Sequence, residues 1–86
     1  MFWSREEMIQ TGYQVIFECW SHKNTLTGKM KYAAAFTPEE QDELADLYKK
    51  FYGWVIGFGA GTPAEFECSI ETRQLIIRAA NFFKEL

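Results

Sequence analysis

Between Thr37 and Phe58 the apolar residues recur at Leu44, Leu47, Tyr48, Phe51, Val55 and Phe58. At about 100° per residue they fall on one stripe, as wide as a core-facing helix requires. The start of this helix is written in Thr37-Pro38-Glu39-Glu40. Thr can accept a backbone N–H as N-cap, Pro suits the first helical position, and Glu40 can reach back to complete a capping box. The spacing predicts one long amphipathic helix, stopped in the run Gly57-Phe58-Gly59-Ala60-Gly61. Ser4-Arg5-Glu6-Glu7 is a second capping box, and Trp3 and Met8 stand around it at the spacing of a hydrophobic staple. A short helix is expected from about Arg5 to Gln10, with Gly12 as its C-terminal stop.

Two stretches alternate instead. Tyr13, Val15, Phe17 and Cys19 share one side of a strand, with Gln14, Ile16, Glu18 and Trp20 on the other. Met30, Tyr32, Ala34 and Phe36 alternate in the same way with Lys29, Lys31, Ala33 and Ala35. The turn-forming run from Ser21 to Gly28 separates them, so a hairpin folded at Asn24-Thr25 is predicted. That register sets Phe17 opposite Tyr32, Cys19 opposite Met30, and Glu18 opposite Lys31 as a favourable cross-strand charge pair. The face carrying Tyr13, Val15, Phe17, Tyr32, Ala34 and Phe36 is expected to pack on Leu44, Leu47, Tyr48, Phe51 and Val55, because an isolated two-stranded sheet needs support.

Thr62-Pro63-Ala64-Glu65 repeats the Thr-Pro-x-Glu signal, which predicts a last helix from about Pro63 to Glu85. A competing reading places a short third strand near residues 64–69, with Phe66 and Cys68 on one face, and begins the helix at Ser69 or Ile70. Cys68, Leu75, Ala79, Phe82 and Leu86 form one stripe, flanked by Ile76 and Phe83. Phe66, Ile70, Ile77 and Ala80 form a second stripe almost opposite. A helix apolar on two sides is covered on two sides, by the rest of the chain or by a partner. The expected fold is α+β in a single domain: a short N-terminal helix, an antiparallel β-hairpin, and two longer helices joined by a Gly-rich turn.

A chain of 86 residues has room for one core. Eight Phe, four Tyr and three Trp help so small a core reach stability, since each aromatic buries a large area. The net charge of −3 and the pI of 5.1 argue against electrostatic binding to nucleic acid or to an anionic membrane, both of which need a basic surface. The first residues carry acids where a signal peptide carries positive charge, and no apolar run is long enough to span a bilayer. A cytoplasmic location is expected. Cys19 and Cys68 are too few for a disulfide scaffold and are expected to be free thiols.

Catalytic arrangements are sparse. His22 is the only histidine, and no base-orienting acid lies near it in the chain. Cys19-x-x-His22 with Cys68 offers three soft ligands, with Glu18 as a fourth, but a structural zinc site takes its ligands in paired spacings. Here Cys19 is assigned to the core face and His22 to the loop. Gly57-x-Gly59-x-Gly61 follows a helix, whereas a dinucleotide-binding loop follows a strand. No catalytic residue, metal ligand or cofactor is assigned.

Two surface features remain. The acidic run Glu39, Glu40, Asp42, Glu43 and Asp46 suits the start of a helix and makes the strongest field on the chain. It would speed association with a basic partner. Tyr52 and Ile56 fall off the core stripe, and Trp20 lies on the second face of the predicted hairpin; Trp and Tyr often anchor interfaces. The expectation is a non-enzymatic protein-binding module, acting as inhibitor, adaptor or regulator. It would meet another protein of basic surface through Trp20, Tyr52, Glu39, Glu43 and Asp46. Small acidic proteins of phages and mobile elements that block nucleic-acid-handling proteins share this profile, which is analogy alone. One alternative is a structural homo-oligomer, in its simplest form a homodimer, assembled through the C-terminal helix. A further alternative is a small ligand-binding or enzymatic domain using His22, Cys19 or a carboxylate.

Overall fold

Three helices begin where a hydroxyl side chain closes the first turn. In the computed structural model, which describes residues 2–11, 26–56 and 63–85, the elements in order are β1 (Phe2–Ser4), α1 (Arg5–Thr11), α2 (Leu26–Ala35), α3 (Pro38–Ile56), β2 (Glu65–Glu67) and α4 (Ile70–Lys84). At α3 the capping box is closed in both directions. The Glu40 N–H donates to Thr37 Oγ1 at 3.1 Å, and the Thr37 N–H donates to Glu40 Oε1 at 2.9 Å. At α1 the Glu7 N–H donates to Ser4 Oγ at 3.1 Å, and Trp3 and Met8, the expected staple pair, are both buried in the core. The class is α+β, as expected from the sequence.

The sheet, however, is not the predicted hairpin. The first predicted strand, around Tyr13 to Trp20, lies outside the described residues. The second is helical: Leu26–Ala35 is α2. The reason is local. Lys29, Met30, Lys31, Ala33, Ala34 and Ala35 are all good helix formers, and no β-branched residue follows Thr27 in the segment. The alternation was carried largely by alanines, which fit either period. What the core selects is period four: Gly28, Tyr32 and Phe36 are buried, while Met30 and Ala34, expected to face the core, are exposed. Met30 and Lys31, expected opposite Cys19 and Glu18, stand in this helix, and Cys19 and Glu18 lie outside the described residues.

The strands that do pair come from the two sides of the long helix in sequence. β1 and β2 are antiparallel, with Phe2 opposite Glu67, Trp3 opposite Phe66 and Ser4 opposite Glu65. Of these, Trp3 and Phe66 are the buried pair, at 1% and 8% exposure. The expected helix start at Pro63 gives way to the competing strand. Glu65-Phe66-Glu67 has the period of a half-buried strand, and pairing with β1 sends Phe66 into the core. A second cap then takes over the helix start. Ser69 has extended backbone, its Oγ accepts the Thr72 N–H at 3.1 Å, and α4 runs from Ile70.

One core joins the elements. Tyr32 and Phe36 of α2 and its end meet Leu44, Leu47, Tyr48 and Phe51 of α3, and Leu75, Ile76, Ala79, Ala80 and Phe83 of α4. Aromatic rings tie the contacts together. Tyr32 stacks on Phe83 at 6.0 Å, Phe36 meets Phe82 edge-on at 5.3 Å, and Phe51 meets Phe66 edge-on at 5.9 Å. Such pairs add about 0.5–1.5 kcal/mol beyond their area burial. The second apolar stripe expected on the last helix is covered by the chain at half of its positions. Phe66 and Ala80 are buried, and only Ile70 and Ile77 of that set are exposed. No helix among the described residues is long and apolar enough to cross a membrane.

Candidate protein-binding surface

The acidic run at the start of α3 separates into two groups once the helix is placed. Leu44, Leu47, Tyr48 and Phe51 set the direction of the core. At about 100° per residue, Glu39, Asp42, Asp46 and Gly53 lie on the opposite side, and all four are exposed. Glu39, Asp42 and Asp46 make no ion pair among the described residues. They form a carboxylate stripe along the first turns of α3, with Lys49 and Lys50 following it.

Glu40 and Glu43 instead fasten α3 to α4. Glu40 pairs with Arg78, whose guanidinium also lies 4.8 Å from the centre of the Phe36 ring. The Thr37 backbone N–H, and after it the Arg78 side chain, hold the Glu40 carboxyl below the ordinary carboxylate range. Glu43 Oε1 accepts the Thr72 hydroxyl at 2.7 Å, and the Ser69 hydroxyl donates to Thr72 Oγ1 at 3.0 Å. This relay sets the Glu43 carboxylate beside the first turn of α4, where the helix dipole favours negative charge. A third tie is the Arg73–Glu7 pair at 2.9 Å, with the Arg73 guanidinium 5.3 Å from the centre of the Trp3 ring.

The predicted contact residues are therefore not all brought together. Glu39 and Asp46 share the outward stripe, which Asp42 completes. Glu43 is exposed but engaged with α4. Tyr52 is 46% exposed and lies on the flank of α3 opposite Glu43. Trp20 lies outside the described residues, as do His22, Cys19 and the Gly57–Gly61 run. Gly53 lies on the same side beyond Lys49 and Lys50 and leaves the backbone there without side-chain cover: a Cβ at this position meets nothing within 4 Å.

One exposed surface lies outside the residues expected to make contacts. Leu26 and Met30 of α2 are 78% and 66% exposed. Read with helical rather than strand period, Leu26, Met30, Ala33 and Ala34 fall on one face, and this was the available signal.

The remaining titratable groups near the core do not suit acid–base or nucleophilic work. Burial pushes the Tyr32 phenol up to about 12 and the Tyr48 phenol higher still, the latter also opposed by Tyr32. Cys68 is a partly buried free thiol whose pKa burial raises, which keeps it protonated near neutral pH. No group of three or more His, Cys, Asp or Glu side chains that could hold a metal ion occurs among the described residues. Comparison with protein-family models, with curated proteins and with solved structures finds no match for the chain.

Proposed function

We propose that this chain is a cytoplasmic protein-binding module that acts as an inhibitor, adaptor or regulator, and that the outward stripe Glu39–Asp42–Asp46 is its contact with a basic partner. One observation carries this reading. The fold uses Glu40 and Glu43 for its own helix–helix ties, yet leaves three carboxylates of the same run exposed and without ion pairs among the described residues. Their early position suits the helix dipole, and their exposure leaves them available to a basic partner. Gly53, on the same side of α3 beyond Lys49 and Lys50, lets a partner approach the backbone closely. Tyr52 provides an aromatic contact on the adjoining flank.

The test is affinity capture with the tagged full chain, run beside an E39K/D42K/D46K variant. The expected result is one stoichiometric protein with a basic surface, retained by the wild type, lost by the variant, and released by raised salt. Retention of the same protein by both would overturn the assignment of the stripe. A homo-oligomer through α4 is the second reading, supported by the exposure of Ile70 at 57% and Ile77 at 37% on its outer face. It requires a mass that rises with concentration and an Ile77→Glu variant that is monomeric.

A further inference from the structure

We infer that the outer face of α2 is a second, separate docking surface, and that it takes an amphipathic helix of another protein whose apolar stripe is flanked by carboxylates. Leu26, Met30 and Ala34 stand at i, i+4 and i+8, the spacing of a continuous ridge on a helix surface. The first two are large and strongly exposed. The inward face of the same helix is already committed, through Gly28, Tyr32 and Phe36, to the core. α2 is thus apolar on both sides, and only one side is used by the described residues.

The shape and charge of the ridge define the occupant. Leu26 and Met30 project at one end, while Ala33 and Ala34 leave the backbone approachable at the other. A partner helix meets this with small residues over Leu26 and Met30 and large apolar residues over the alanines. Met30 can adapt its unbranched side chain to such a contact. Because α2 spends its backbone hydrogen bonds on itself, an added strand has no ladder to join. The only charged residues of α2 are Lys29 and Lys31, on opposite flanks of the ridge, and neither has an ion-pair partner among the described residues. In a chain of net charge −3 this is a local basic rim around an apolar centre. Carboxylates on both flanks of the incoming helix complement it. A second copy docked α2 against α2 would instead bring lysines to lysines.

Two labelled synthetic helices test this against the full chain by fluorescence anisotropy. They share one Leu/Ala stripe and differ only in carrying glutamates or lysines beside it. The expected result is saturable binding of the glutamate peptide, about tenfold or more tighter than the lysine peptide, weakening with salt. Met30→Glu and the double variant K29E/K31E should each weaken that binding by about tenfold or more, with unchanged thermal melting. The E39K/D42K/D46K variant should bind the peptide as the wild type does, which separates this surface from the one on α3. The inference is overturned by equal affinity for both peptides, by absence of saturable binding, or by a dimer that Met30→Glu dissolves. It is also overturned if Met30→Glu lowers the melting temperature as a core substitution does, since the chain itself would then cover the face.

Discussion

α2 and α3 are consecutive helices joined at Phe36 and Thr37, and they are held in opposite ways. α3 announces itself locally. Its capping box, proline start, early acids and single apolar stripe all agree, and each is present in the structure. α2 has no acidic residue in its first turn, and its apolar residues lie on two faces. It is a helix because its residues favour one, and because Tyr32 and Phe36 reach Phe82 and Phe83 of α4 only at helical spacing. Agreement among local signals makes an element legible. Where they are silent, packing against distant residues decides.

Substitutions can separate the two cases. The largest effect is expected from Phe51→Ala on the buried face of α3. Phe51 is fully buried and contacts both Trp54 and Phe66, so truncation should cost about 3–5 kcal/mol in denaturant unfolding. A loss below about 1 kcal/mol would mean that α3 does not organise the core.

Alkaline pH should strike the α2 side of the same core. The Tyr32 phenol is raised from 10.0 to about 12 in the folded chain, so the unfolded chain gives up that proton first. Its contribution is full below pH 10 and is lost as pH rises through 12. Tyr32→Phe should flatten this part of the pH–stability curve, and an unchanged slope would show that Tyr32 is not packed as described.

Smaller effects address α3 alone. Thr37→Ala removes the side-chain half of the capping box and should cost about 1 kcal/mol. Gly53→Ala places a methyl group in open space on an exposed helical position and should stabilise by about 0.5–1 kcal/mol. If the acidic stripe binds a partner there, the same change should weaken capture while raising the melting temperature. The smallest effect is expected at Leu26→Ala, within about 0.5 kcal/mol of the wild type. That near-zero value sharpens the contrast, because an equally apolar residue on α3, Leu44, is fully buried.

The candidate surface was legible only in part, for the same reason. Composition and spacing located the acidic run, but they could not say which carboxylates the fold would use. Arg78 and Thr72 are far from Glu40 and Glu43 in the chain, and only the packing of α4 on α3 brings them together. Likewise, strand period places Met30 on a core face, because alternation in a run of alanines and lysines fits strand and helix equally.

The sequence alone determined the short N-terminal helix and the position and burial of the long helix, because caps and a single apolar period act within a few residues. The tertiary structure decided the rest. It turned Leu26–Ala35 into a helix, made Glu65–Glu67 the partner of Phe2–Ser4, and delayed the last helix to Ile70. At Thr62-Pro63 the local start signal lost to Phe66, whose burial opposite Trp3 needs an extended chain. A cap contributes about 1 kcal/mol, whereas burying a Phe side chain contributes about 1.5–3 kcal/mol, so the long-range contact prevails.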